Sequence, residues 1–134
     1  MEQELRDLEV AKNHYGLFVS FLQPEMDQLR SQNTPSNSRS NARDKLTKLS
    51  KHQFSELSTD VYDELNRRLV DKAIPFLQVN ENYHPKRNQA RQKLATLQNQ
   101  RFKELVSDVF FEIEKRYYLG RDSFCLSKWI LFKR

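Results

Sequence analysis

The chain has 134 residues and a net charge of +5 from 23 basic and 18 acidic residues, a length that predicts one domain. No apolar run reaches the roughly 18 residues of a membrane span, and the charged opening MEQELRDLE excludes a signal peptide. Two Gly and four Pro in the whole chain favour long helices over short strands. The single Cys125 suits a reducing compartment. We therefore expect an intracellular, all-α protein.

Residues 1–30 are predicted to form an N-terminal helix. Apolar residues recur there at steps of three and four and so share one helix face: Leu8, Ala11, Tyr15, Phe18 and Leu22. Pro24 either ends this helix or lies in the first turn of a continuation. Residues 31–41, SQNTPSNSRSN, are polar and contain no large apolar side chain, which predicts a mobile linker.

The central part of the chain is a tandem repeat. Residues 42–68 read ARDKLTKLSKHQFSELSTDVYDELNRR, and residues 90–116, 48 positions later, read ARQKLATLQNQRFKELVSDVFFEIEKR. A period of this size is typical of a supersecondary unit that buries its apolar face only by stacking on a neighbour. We define repeat 1 as residues 42–71 and repeat 2 as residues 90–119.

Each repeat is predicted to be a helical hairpin, because its apolar residues recur at helical spacing. Ser50 and Gln53 match a capping box, so a short helix should stop near Ser50 and a longer one should start there. Only Asn99 marks the equivalent joint of repeat 2. The predicted fold class is all-α, a helical bundle built from the long N-terminal helix and two tandem helical-hairpin repeats within a single domain, 1–134.

Charge is distributed unevenly between the predicted helices. Basic residues lie on the short helices, and acidic residues lie on the long ones, among them Glu56, Asp60, Asp63, Glu64, Glu104, Asp108, Glu112 and Glu114. We expect the two sets to pair inside the fold. The alternative is a nucleic-acid surface on the short helices, in which Arg43 and Arg91 would contact phosphates.

Two further segments carry more apolar residues than free chain would. The connection, residues 72–89, contains Phe76, Leu77, Val79 and Tyr83, and we expect these side chains to pack across the two hairpins. The tail, residues 120–134, is also apolar. It is expected either to dock on the bundle as a last helix or to cover a partner groove.

The long helix of repeat 2 is apolar on most sides, so it is either central to the bundle or lines a groove for a partner. The candidate groove residues are Tyr62, Val106, Phe110, Phe111 and Tyr118. The candidate charged rim consists of Arg67, Arg68, Lys115 and Arg116. In such a groove, buried aromatic side chains would supply most of the affinity, while rim charges would set orientation and association rate.

In tandem, the pattern R-x-K-L-x-x-L-x-x-x-x-F-x-E-L-x-x-D-V-x-x-E-x-x-R-R resembles the Spa homology domain, which fungal polarisome scaffolds and animal GIT proteins share. The first copy matches at Arg43, Lys45, Leu46, Leu49, Phe54, Glu56, Leu57, Asp60, Val61, Glu64 and Arg68. The second matches at Arg91, Lys93, Leu94, Leu97, Phe102, Leu105, Asp108, Val109, Glu112 and Arg116. The segment LSKHQFSELSTDVYDELNRR is most similar to the sequences of the fungal scaffolds.

The resemblance implies a non-catalytic adaptor domain of a cell-polarity scaffold, docking short or amphipathic-helical peptides in an apolar groove. The fungal relatives tether MAP kinase kinases and Rab GTPase-activating proteins, together with other polarisome components, and the animal relatives bind PIX exchange factors. The implied location is cytoplasmic, at sites of polarised growth such as a bud or hyphal tip or a division site.

Two other function classes remain open from the residues. Self-association through the tail or the first helix would make the domain a structural module. An enzyme would need catalytic groups, but the sequence offers three scattered His, one Cys, no glycine-rich phosphate loop and no metal-ligand spacing. We therefore expect no catalysis and no cofactor.

Overall fold

The computed structural model describes residues 2–25 and 37–117, which form five α-helices. These are α1 Glu2–Leu22, α2 Asn37–Thr47, α3 Lys51–Leu69, α4 Pro85–Lys93 and α5 Asn99–Tyr117. Two short 3-10 turns, Gln23–Glu25 and Leu94–Thr96, follow α1 and α4. The described residues contain no strand, so the predicted all-α class is confirmed. None of their helices is long and apolar enough to cross a membrane.

Helix α1 buries the face that its sequence predicts. Ala11, Tyr15, Phe18 and Leu22 are buried, and Leu8 is partly buried. The α-helix ends at Leu22, and Pro24 lies in the 3-10 turn that follows, where its missing amide donor is tolerated. The predicted continuation to residue 30 passes beyond the described part of α1.

The starts of the helices follow local side-chain chemistry. The Ser50 hydroxyl accepts a hydrogen bond from the amide of Gln53, and the Gln53 side chain accepts one from the amide of Ser50, both at 3.1 Å. This confirms the capping box. At α4, the His84 imidazole accepts from the amide of Lys86 at 3.0 Å, and Pro85 takes the first helical position, where proline is preorganised for a helix.

Helix α2 begins at Asn37, so the last residues of the predicted 31–41 linker are helical. The sequence around Asn37 is polar and offers no apolar stripe. The helix is held instead by residues nearer its C-terminus, where Leu46 is buried and Arg43 contacts α5. Tertiary contacts thus override a weak local signal.

The core lies where α1 packs on α3 and α5. Its fully buried apolar side chains come from these three helices: Phe18, Leu22, Val61, Leu65, Phe102, Val106, Val109, Phe110 and Ile113. The short helix of each repeat packs on the long helix of the other repeat. Helix α2 of repeat 1 packs on α5 of repeat 2, and α4, which enters repeat 2, packs on α3 of repeat 1.

The connection between α3 and α4 does not pack as the sequence suggested. Phe76 and Val79 are exposed, so the expectation that they pack across the hairpins is wrong. Tyr83 is partly buried and lies under the guanidinium of Arg87, 3.7 Å from the ring centroid. The apolar tail, residues 120–134, lies outside the described residues.

Candidate functional site

Arg68, at the end of α3, holds the end of the short helix of the other repeat. Its Nη2 donates to the carbonyl oxygens of Leu94 and Leu97 at 2.9 and 2.8 Å. Its Nε donates to Glu64 at 2.7 Å, and its guanidinium lies 4.1 Å above the Phe102 ring. Because the last carbonyls of a helix have no partner within the helix, Arg68 caps the C-terminus of α4.

Arg116, 48 positions later, makes the same contacts in the opposite direction. Its Nη2 donates to the carbonyl oxygens of Leu46 and Leu49 at 2.9 and 2.8 Å. Its Nε donates to Glu112 at 2.6 Å, and its guanidinium lies 4.3 Å above the Phe54 ring. Each repeat therefore supplies the arginine that completes the other.

These contacts correct the predicted charged rim. Arg68 and Arg116 donate to carbonyls inside the fold, and Arg67 donates to Glu64 and to the carbonyl of Ile74. Lys115 is exposed and donates to the Thr47 hydroxyl at 3.1 Å. The carbonyl acceptors lie in the other repeat, so no sequence signal near either arginine indicates them.

A second pair of contacts also joins each repeat to the other. Arg43 of repeat 1 donates to Asp108 of repeat 2 at 3.1 Å. Arg91 of repeat 2 donates to Asp60 and Asp63 of repeat 1 at 2.6 and 2.9 Å. The expected pairing of basic short helices with acidic long helices is confirmed, and each ion pair joins different repeats. Arg43 and Arg91, the nucleic-acid candidates, are engaged within the fold.

Three of the five predicted groove residues belong to the core. Val106 and Phe110 are fully buried, and Phe111 is buried. Tyr15 of α1 stacks on Phe110 with the ring centroids 4.9 Å apart. The prediction that these three side chains line a partner groove is therefore wrong, because the guanidinium of Arg43 of α2 lies 4.8 Å from the Phe111 ring centroid and α1 covers Phe110. The long apolar stripe of α1 was the signal that a helix of this chain would do so.

The other two groove candidates differ from these. Tyr62 is partly buried, and its ring lies 4.6 Å from the imidazole of His14. Burial lowers the pKa of His14 to about 4, and its Nδ1 makes a 2.7 Å hydrogen bond with the Ser58 hydroxyl. Tyr118 lies outside the described residues.

An open cleft of about 300 Å³ lies between the end of α1, the end of α3 and the start of α5. We call it the Phe21 cleft. It is lined by Phe21, Leu65, Arg68, Leu69, Asn99, Gln100, Phe102 and Lys103. Leu69 is exposed, and the side-chain ammonium of Lys103 lies 5.6 Å from the Phe21 ring centroid. None of these described lining residues is acidic.

A related cleft of about 470 Å³ lies at the other end of α1. Lys51, Arg116 and Tyr117 line it at positions equivalent to Asn99, Arg68 and Leu69 of the Phe21 cleft. From α1 it takes Asp7 and Leu8. This second cleft therefore includes a carboxylate among its described lining residues, whereas the described lining residues of the Phe21 cleft include none.

Together these features define an all-α domain in which two copies of one helical unit complete each other around a central helix. Among the residues with described side chains, no cluster of His, Cys, Asp and Glu is placed to hold a metal ion. The Spa2 homology domain (SHD) of GIT matches residues 42–68 and 90–116, the ranges of the two copies. A solution structure of the SPA-2 SHD is 42% identical, with a TM-score of 0.66, over 84% of this chain and 87% of that chain.

The chain therefore belongs to the Spa2 homology domain family, which confirms the resemblance drawn from the repeat motif. Protein SPA2 of Saccharomyces cerevisiae is 54% identical over 48 residues, which are 34% of this chain. That segment is 3% of the yeast protein. The chain thus matches only a small part of the length of this relative.

Proposed function

We propose that the chain is a non-catalytic, protein-binding adaptor domain of a cell-polarity scaffold, acting in the cytoplasm at sites of polarised growth. Its partners are short or amphipathic-helical segments of signalling proteins such as MAP kinase kinases and Rab GTPase-activating proteins. Membership of the Spa2 homology domain family supports the adaptor class. The Phe21 cleft is the observation that carries the docking site.

The Phe21 cleft has the chemistry of a helix-in-groove site. Phe21 of α1 is partly buried and Leu69 of α3 is 46% exposed, so these two side chains offer the apolar surface, above the buried Phe102. Burying such surface under a partner contributes roughly 25 cal/mol per Å². Lys103 adds positive charge. We infer a partner segment with two apolar side chains on one helix face and an acidic residue about one turn away.

The test is a titration of the domain with fluorescent peptides tiled across MAP kinase kinase N-termini and Rab GTPase-activating protein tails. The decisive variant is Leu69→Asp, which changes an exposed residue of the cleft. Leu5→Asp is the matched control, because Leu5 is also exposed and apolar but is absent from the cleft lining.

We expect one peptide to bind saturably, Leu69→Asp to weaken it at least tenfold, and Leu5→Asp to leave it unchanged. Circular dichroism of both variants should match the original domain. Equal weakening by both substitutions, or tight binding that survives Leu69→Asp, would place the docking site elsewhere. Binding that appears only with long acidic peptides and disappears with added salt would instead indicate nonspecific electrostatic attraction.

A further inference from the structure

The segment that joins the two repeats has firm ends and an irregular middle. At one end, Arg67 donates to the carbonyl of Ile74 at 2.6 Å. At the other, the Asn88 side chain accepts from the amide of Asn80 and donates to its carbonyl, both at 3.0 Å. Residues 75–79, between these anchors, form neither helix nor strand. We call residues 70–84, the stretch between the end of α3 and the start of α4, the connecting segment.

The connecting segment exposes apolar side chains that the fold does not use. Val70 is 75% exposed and Val79 is 62% exposed, and Ile74 and Phe76 are exposed as well. None of the four lines the Phe21 cleft. Scattered exposed apolar residues are ordinary, but four within ten residues of one irregular segment suggest a surface that becomes buried in another state.

The contacts that hold the repeats together do not require both repeats to belong to one chain. Arg68 and Arg116 each cap a helix of the other repeat, as described above, and Arg43 and Arg91 each form an ion pair with the other repeat. The same set of contacts would form if each repeat came from a different copy. Only the path of the connecting segment would change.

We propose that two copies of this chain form a dimer by exchanging repeats, so that repeat 1 of each copy pairs with repeat 2 of the other. The connecting segments then cross between the two halves, and the exposed side chains of Val70, Ile74, Phe76 and Val79 from both copies pack together. Exchange of identical elements is an inexpensive route to a dimer, because the exchanged contacts are already optimised. Pro75 stiffens the segment and so favours its extended path.

Complementation between two variants is the first test. Arg68→Ala removes one cap and Arg116→Ala removes the other, so each variant alone lacks one cap in every folded unit. In an exchanged dimer of the two, one unit combines Arg68 of one chain with Arg116 of the other and is complete. The second unit lacks both. The variants are unfolded together at equal concentration, refolded, and analysed by light scattering and thermal unfolding.

We expect a species of twice the monomer mass that shows an unfolding transition at the temperature of the original domain, a transition absent from either variant alone. If the mixture stays monomeric and melts as the sum of the two variants, repeat exchange does not occur. A dimer without the restored transition would mean that the chains associate by another surface, which also overturns the proposal.

A second test avoids any variant that might fail to fold. Val70→Asp with Val79→Asp changes two exposed residues of the connecting segment and should lower the dimer association constant of the domain at least tenfold. Leu5→Asp is the matched control, because Leu5 is 66% exposed on α1. Sedimentation equilibrium should show the loss only in the first variant. An unchanged dimer, an equal loss in both, or an original domain that stays monomeric at millimolar concentration would overturn the proposal. No peptide is needed, so either result leaves the Phe21 cleft to its own test.

Discussion

Arg68 and Arg116 cap each other's repeats with the same atoms: in each, Nη2 donates to two carbonyl oxygens at 2.8–2.9 Å and Nε donates to a glutamate four residues earlier. Glu64, which receives Arg68, is fully buried. Removing the arginine would leave that carboxylate and two helix-end carbonyls without this donor. The two arginines therefore stabilise the fold, although they lie near the C-terminal ends of α3 and α5.

We expect Arg68→Met to lower the free energy of unfolding by about 3 kcal/mol, because breaking a buried ion pair by removing one partner costs about 3–5 kcal/mol and Arg67 still reaches Glu64. Arg116→Met should have an effect of similar size. Urea unfolding measures both. Arg101→Met, an exposed arginine on α5, is the control and should stay within about 0.5 kcal/mol.

Phe110→Ala should destabilise the domain rather than remove a docking contact. Phe110 is fully buried against Tyr15, and truncation of a buried Phe to Ala costs about 3–5 kcal/mol. Phe76→Ala, at an exposed position, should cost less than about 1 kcal/mol. Thermal unfolding followed by circular dichroism distinguishes them. A Phe110→Ala variant of unchanged stability that has lost its partner would restore the sequence-based groove.

The stability of the domain should fall as the pH is lowered from 6.5 toward 4. Burial lowers the pKa of His14 from 6.5 to about 4, so in this window the unfolded chain takes up a proton that the folded chain does not. The resulting loss of unfolding free energy is small above pH 6.5 and reaches on the order of 2 kcal/mol near pH 4.5. Urea unfolding across this range measures it.

Carboxylates also titrate near the lower end of that range, so a comparison of histidine variants is needed. His14→Gln should flatten the pH dependence between pH 6.5 and 5, whereas His52→Gln, at an exposed position, should leave it unchanged. If both variants follow the original domain, His14 is not the group that couples protonation to unfolding.

The two equivalent ion-pair arginines should differ in importance. Arg91 is buried and bridges Asp60 and Asp63, whereas Arg43 is partly exposed and contacts Asp108. Arg91→Gln should therefore cost about 2–3 kcal/mol of unfolding free energy and Arg43→Gln about 1 kcal/mol. Lys93→Gln, at an exposed position on α4, serves as the control. Equal costs for the two arginines would mean that burial does not set their contribution.

The features predicted correctly from the sequence are those that depend on neighbouring residues or on the similarity of the two repeats. The apolar stripe of α1, the capping box at Ser50 and the two copies 48 positions apart all correspond to features of the structure. Each depends on residues close together in the chain or on a comparison of one stretch with another. Such signals survive folding because neighbouring side chains stay neighbours.

The contacts of each arginine with the other repeat could not be predicted from the sequence in the same way. Two similar copies offer each arginine two equivalent sets of carbonyls, and nothing in the spacing says which set Arg68 reaches. The burial of Phe110 has a similar cause, because an apolar surface on α5 serves equally well for α1 or for a foreign helix. In both cases the competing arrangements have nearly the same chemistry, and only the three-dimensional path of the chain decides between them.

The reciprocal capping also bears on the origin of the domain. A gene that encoded one repeat alone would have produced a unit whose short helix lacked its arginine cap. In a symmetric pair of such units, the arginine of each could cap the short helix of the other. Duplication and fusion of that gene would give the present arrangement without inventing a new contact. The two copies are no longer identical at this joint: Thr47 contacts Glu112 and Lys115, whereas its counterpart Ala95 has no hydroxyl with which to do so.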